Sequence, residues 1–218
     1  MLKYIMKKYI LPTVLILISI LLSVYFFPLL PESMASHWNA SGVVDGHSSK
    51  LLNIILFPAL QLFFLILLIF LPKLDPKGEN IKKFENKFYI FINVLLLFFI
   101  TLQLQVFLWN INIQIPMNSI MPILIGGVFL VIAYLIKNAK QNYSIGIRTP
   151  WTLHSENVWN KTHKLGAKLF AISGLLSILS VVISSYSYLV VIISSLLSTL
   201  ILVIYSYMEY RKETILKK

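Results

Sequence analysis

Six apolar runs dominate the sequence, at residues 10–30, 51–71, 88–109, 117–136, 165–184 and 187–208. A bilayer core about 30 Å thick is crossed by about 20 helical residues. A helix also satisfies its own backbone hydrogen bonds where no water is available. None of the six runs contains Asp or Glu, and their single basic residue, Lys168, lies near an end from which it can snorkel to the interface. Hydrophobic residues make up 58% of the chain and charged residues 12%, against about 45–50% and about 25% in soluble domains. The excess apolar surface must face lipid. The sequence therefore predicts an all-α, polytopic integral membrane protein with six transmembrane helices.

Orientation follows from Lys and Arg, which are enriched in the cytoplasmic connections of membrane proteins. Lys3, Lys7 and Lys8 precede the first run, and Lys73, Lys77, Lys82, Lys83 and Lys87 separate the second from the third. Lys137, Lys140, Arg148, Lys161 and Lys164 separate the fourth from the fifth, and Arg211, Lys212, Lys217 and Lys218 follow the last. These are 17 of the 19 basic residues, all on one side of a six-span chain, against Lys50 on the other. Both termini are expected in the cytoplasm. The same pattern explains a net charge of +11 without a basic face for nucleic acid, so no direct nucleic-acid binding is expected. The first run is followed by Ser33-Met34-Ala35, which imitates a cleavage site. It nevertheless exceeds the about 7–15 apolar residues of a cleaved signal and is expected to remain as an anchor.

Two connections are long enough to hold chemistry. They divide the chain into an N-terminal two-span unit (1–86) with an extracytoplasmic loop at 31–50, and a C-terminal four-span unit (87–218) with a cytoplasmic loop at 137–164. In the outer loop Glu32, His37, Trp38, Asn39 and Asp45 form a candidate ligand surface. Glu32, His37, Asp45 and His47 are residue types that bind divalent metals, but their spacing matches no established ligand pattern and no metal is expected. Pro31, Gly42 and Gly46 predict a turn-rich, solvated loop with Asp45-Gly46 as a turn signal. Trp38 is expected at headgroup level.

The inner loop is denser. Gly146 permits an unusual backbone angle, Thr149-Pro150 can open a helix, and Ser155-Glu156 is a second helix start. Val158, Trp159 and Thr162 then share one helical face, with Lys161 and Lys164 on another. This is either a docking element along the membrane surface or an amphipathic lead-in to the fifth span, anchored by Trp151 and Trp159. Arg148 is the one arginine outside the C-terminal tail. Its planar fork suggests pairing with a carboxylate, a phosphate or chain carbonyls, and Glu156 is the internal candidate. His154, Glu156 and His163 do not form the i, i+4 histidine pair of HExxH, no GxSxG elbow is present, and there is no cysteine. Neither an enzyme nor a cofactor is expected. Gln61, Asn93, Gln103 and Gln105 are the amides within the spans and are expected to bond to neighbouring helices. Pro58 and Gly126-Gly127 allow a kink and close packing. Coupled carriers usually place ionisable groups within the bundle, which disfavours active transport.

The stretch Asn142-Tyr143-Ser144-Ile145-Gly146-Ile147-Arg148-Thr149-Pro150-Trp151-Thr152, continued by Ser155-Glu156-Asn157-Val158-Trp159-Asn160-Lys161-Thr162-His163, resembles the signature of the SdpI immunity-protein family. In that family it precedes the last two spans. The outer stretch, with Pro31, His37-Trp38-Asn39 and Gly42-Val43-Val44-Asp45-Gly46, is similar to the N-terminal domain of unknown function often fused to it. The resemblance implies a cell-membrane protein that protects a bacterium from a secreted, membrane-active peptide toxin. It also implies signalling, by holding a cytoplasmic transcriptional repressor at the membrane. The expected partners are membrane lipid, the peptide toxin and the repressor. Asn142, Gly146, Arg148, Thr149, Pro150, Trp151, Trp159, Lys161, Thr162 and His163 are the candidate partner-docking motif. A small transporter or channel is the alternative, and a membrane metalloenzyme a more distant one.

Overall fold

The computed structural model describes the backbone of residues 2–216 and the side chains of residues 8–183 and 185–215. Lys217 and Lys218, and the side chains of Lys3 and Lys7, lie outside the described residues. In chain order the elements are α1 (Leu2–Phe26), a 3-10 turn (Phe27–Leu29), β1 (Ser33–Trp38), β2 (Val44–Ser49), α2 (Lys50–Leu74), α3 (Gly78–Lys82), α4 (Glu85–Asn110), α5 (Met117–Ile136), α6 (Pro150–His154), α7 (Glu156–Leu179), a second 3-10 stretch (Ser180–Tyr186) and α8 (Ser187–Leu216). Among the described residues, six helices are long and apolar enough to cross a membrane, in register with the six apolar runs. Between 17% and 33% of each span is buried. Most apolar side chains therefore face outward, the inverse of a soluble core.

Two groups of helices pack internally, α1 with α2 and α4, and α5 with α7 and α8, and α4 also packs on α5. Within the first group a buried polar layer ties the helices together. Ser19 Oγ donates to Gln103 Oε1 at 2.5 Å, Gln61 Nε2 donates to Ser19 Oγ at 2.8 Å, and Gln103 Nε2 donates to Ser23 Oγ at 2.9 Å. Such bonds average about 0.6 kcal/mol each in membrane proteins, so their main effect is to set register. The expectation for the amides thus holds at Gln61 and Gln103. Gln105 bonds instead to the Ile115 carbonyl, in the connection before α5, and Asn93 bonds within its own helix, to the Tyr89 carbonyl.

The second group is built on close backbone approach. A Cβ on Gly126 would lie 2.6 Å from the Gly174 carbonyl, and one on Gly174 would lie 2.8 Å from the Gly126 carbonyl. A methyl group at either position would push α5 and α7 apart. Gly127 meets no such neighbour, so Gly126 alone of the pair makes the close crossing.

Three features correct or sharpen the expectation. First, the connection at residues 31–50 is an antiparallel hairpin with Ser33 opposite Ser49 and a register shift on either side of His37. Its turn lies at residues 39–43, where Asn39 Oδ1 accepts the Ser41 and Val43 amides and Gly42 adopts φ +78. Asp45-Gly46, expected as the turn, lies inside β2. A Cβ on Gly46 would approach His37 Cβ to 2.9 Å, so close cross-strand packing explains that glycine. Second, α7 begins at Glu156, nine residues before the apolar run, because the Ser155 hydroxyl accepts the Val158 amide and caps it. The polar residues 156–164 are therefore the first turns of the spanning helix, with Val158, Trp159 and Thr162 buried along it. Third, α8 continues past residue 208 with Glu209 buried, held by Lys161 at 2.7 Å and Lys212 at 2.9 Å.

Candidate functional site

The densest polar construction lies in the connection from α5 to α7. Asn142, fully buried, shapes it by using all its hydrogen-bonding capacity. Its Oδ1 accepts the Ser144 and Ile145 amides at 2.9 and 2.6 Å, and its Nδ2 donates to the Lys140 and Ile145 carbonyls at 2.8 and 2.9 Å. The turn delivers Gly146 at φ +123 against α7. A side chain there would collide with His163 Nε2 and crowd the Trp159 ring. Glycine is required for both reasons.

His163 receives this turn. Its Nε2 accepts the Ile147 amide at 3.0 Å, and its Nδ1 bonds to the Trp159 carbonyl at 2.9 Å. Because Nε2 accepts, Nδ1 carries the proton and the ring is the neutral tautomer. It stacks on Trp159 with centroids 3.9 Å apart, and Trp159 Nε1 donates to the Ala139 carbonyl at 2.8 Å. Both imidazole nitrogens are therefore committed to holding the loop. Thr149 then caps α6 through a reciprocal pair of bonds with Thr152, and Pro150 occupies the first turn, as its fixed φ favours.

This connection is also clasped from outside. Asp75, buried at the end of α2, accepts the Tyr143 amide at 2.8 Å, the Ser144 hydroxyl at 2.6 Å and the Lys77 amide at 2.7 Å. Lys77 Nζ donates to Gln141 Oε1 at 2.5 Å, and Gln141 Nε2 donates to the Thr152 and Leu153 carbonyls. On the other side Thr149 Oγ1 donates to Ser206 Oγ at 3.0 Å and Ser155 Oγ donates to Glu213 at 2.7 Å. The loop thereby joins the linker after α2 to the end of α8.

The motif residues fall into two sets. Asn142, Thr149, Trp159, Thr162 and His163 are buried and act within the fold. Arg148, Pro150 and Lys161 face outward, with Gly146 and Trp151 between, Trp151 packing on Tyr207 at 5.1 Å. Arg148 Nη1 donates to the Tyr143 carbonyl at 2.6 Å, and among the described residues no ion pair joins it to Glu156. Its partner is a chain carbonyl, through one arm of the fork. Asp75, Gln141, Thr152 and Glu209 were missed by the sequence reading. Asp75 is 68 and 69 residues away along the chain from Tyr143 and Ser144, and no local pattern marks it.

At the opposite end Asn110 Oδ1 accepts the Ala35 amide at 2.7 Å, Asn110 Nδ2 donates to the Ala35 carbonyl at 3.0 Å, and these bonds dock the hairpin on α4. Trp38 meets Trp109 edge to face at 5.5 Å. His37 pairs with Asp45 at 2.5 Å and Glu32 with Lys50 at 2.8 Å, so the candidate ligand residues are divided into separate pairs, while His47 is exposed. Among the described residues no three metal-binding side chains come together. Beneath the hairpin lies a half-enclosed apolar groove of about 600 Å³, walled by α2, α4, α5 and α8.

Comparison with known proteins places these features. The SdpI/YfhL protein family matches residues 138–206, the region of the clasped loop and the two helices that hold it. A domain of unknown function, DUF1648, matches residues 14–62, which include the hairpin. The immunity protein SdpI of Bacillus subtilis (strain 168) is 30% identical over 213 residues, covering 95% of this chain and 98% of that protein. No solved structure matches the chain. With six spanning helices and a relative matched from end to end, the chain is a multi-pass protein of the cell membrane and belongs to the SdpI family.

Proposed function

We propose that this protein is a non-enzymatic membrane immunity protein that protects its cell from a secreted, membrane-active peptide toxin. The observation that carries the reading is the end-to-end similarity to an immunity protein. The charge pattern supports an orientation with the hairpin outside and both termini in the cytoplasm. A toxin arriving from outside then meets the hairpin first, with Glu32, His37, Trp38, Asn39 and Asp45 as its surface. At the cytoplasmic end, Arg148, Pro150 and Lys161 are the motif residues available to a transcriptional repressor. The non-enzymatic reading is supported by His163, whose two nitrogens are both engaged in the fold. The test expresses the wild type and a His37→Ala/Trp38→Ala/Asp45→Ala variant in a toxin-sensitive strain at equal membrane levels. Wild type should raise survival and the triple variant should lose most of that protection. No protection by wild type would refute the immunity reading, while full protection by the variant would move recognition away from the hairpin.

A further inference from the structure

We infer that the groove beneath the hairpin holds one membrane glycerolipid, its acyl chains packed between α2, α4, α5 and α8 and its ester carbonyl accepting from Trp38 Nε1. This goes beyond the immunity reading and stands independently of it. The walls are apolar, with Leu60 from α2, Phe99 and Leu102 from α4, Met121 and Ile125 from α5, and Val191 from α8. Leu56 and Ile192, which also line the groove, are exposed. An unfilled apolar groove leaves its walls without dispersion partners, and lipid tails are the medium that surrounds it. The two methionines at this wall, Met117 and Met121, have flexible side chains that adapt to an irregular occupant.

The groove's polar end decides between a lipid and a helical peptide. The carbonyls of a helix are bonded within it and offer nothing to a donor on the wall, whereas an ester carbonyl is free to accept. The groove, of about 600 Å³ and lined on α5 from Met117 to Ile125, about 12 Å at the helical rise, admits flexible hydrocarbon chains.

The polar end identifies what sits above the chains. Trp38 Nε1 is buried and has no acceptor, although buried polar groups are nearly always paired. It lines the groove beside Ser36, Asn39 and Asn118. No Lys or Arg lines the groove, and its one imidazole, His37, is held by Asp45 at 2.5 Å, while Lys50 at the start of α2 is held by Glu32 at 2.8 Å. A phosphate therefore finds no cation, and recognition stops at the ester carbonyl and the chains. The headgroup goes unread.

Photo-crosslinking of the full-length wild type tests this directly. The protein is reconstituted in nanodiscs containing phosphatidylcholine with a diazirine in its acyl chain, and separately in nanodiscs with phosphatidylglycerol labelled the same way. Adducts should concentrate severalfold at Leu60, Met121 and Ile125 over the lipid-facing Leu21 and Leu200, equally for both headgroups. In native mass spectrometry the wild type should retain one lipid. Trp38→Phe should weaken retention about two- to twelvefold, the net range for one hydrogen bond, and Leu60→Trp/Ile125→Trp should abolish it. Even labelling along the lipid-facing helices, a strong headgroup preference, or retention unchanged in the groove-filled variant would overturn the inference. Loss of groove adducts on adding a synthetic Leu/Ala helical peptide would also overturn it, by assigning the groove to peptide.

Discussion

Replacing His163 with Leu removes the acceptor for the Ile147 amide and the ring stacked on Trp159 at 3.9 Å, in a site only 2% exposed. A donor stranded beside a buried apolar side chain costs about 1–3 kcal/mol. For a chain of this size each kcal/mol shifts Tm by about 2–4 °C, so the hydrogen-bond loss alone predicts a fall of about 2–12 °C. The shift is to be followed by tryptophan fluorescence of detergent-purified protein, since Trp159 reports on this contact. His163→Gln retains a side-chain oxygen that can accept from Ile147, and part of the loss should return. A Tm for His163→Leu equal to wild type, accompanied by lost protection, would refute the structural role and make the ring a recognition group.

Asp75→Ala should loosen the same loop from its other side. It removes a carboxylate from the Lys77 and Tyr143 amides and the Ser144 hydroxyl, at about 1.5–3 kcal/mol for a bond to a charged group. The Tyr143 amide should then exchange with solvent at least about tenfold faster, and unchanged exchange would show that the clasp is not what orders the loop. Arg148→Ala and Arg148→Lys should each stay within about 0.5 kcal/mol of wild-type stability, because the side chain is exposed. If Arg148 docks the repressor, both variants should lose its recruitment to the membrane, since lysine keeps the charge without the fork. Recruitment by Arg148→Lys at the wild-type level would leave Arg148 as a topology charge.

The helices that cross the membrane were legible because their signal is local, a run of apolar residues of fixed length. The hairpin was not. Its strands, SMASHW and VDGHSS, have no apolar alternation, and they are held by Asn110 and by each other. The start of α7 was legible in the Ser155-Glu156 cap signal, although hydropathy alone assigns its polar first turns to a loop. The motif was legible as a motif, whereas the work done by its residues was not. Asn142 and His163 read equally well as exposed docking groups until Ser144 and Ile145 are seen bonded to the first, and Gly146 and Ile147 held against the second. The clasp through Asp75 is a contact between distant parts of the chain, and nothing near residue 75 announces it.

The most direct test is complementation in Bacillus subtilis cells lacking their own SdpI and challenged with the toxin against which it gives immunity. Colony counts should rise toward those of cells carrying SdpI when this chain is present in the membrane, and should remain at vector level when it is absent. Vector-level survival despite normal membrane amounts of the intact chain, repeated with a toxin-producing strain of its own host, would contradict the immunity function.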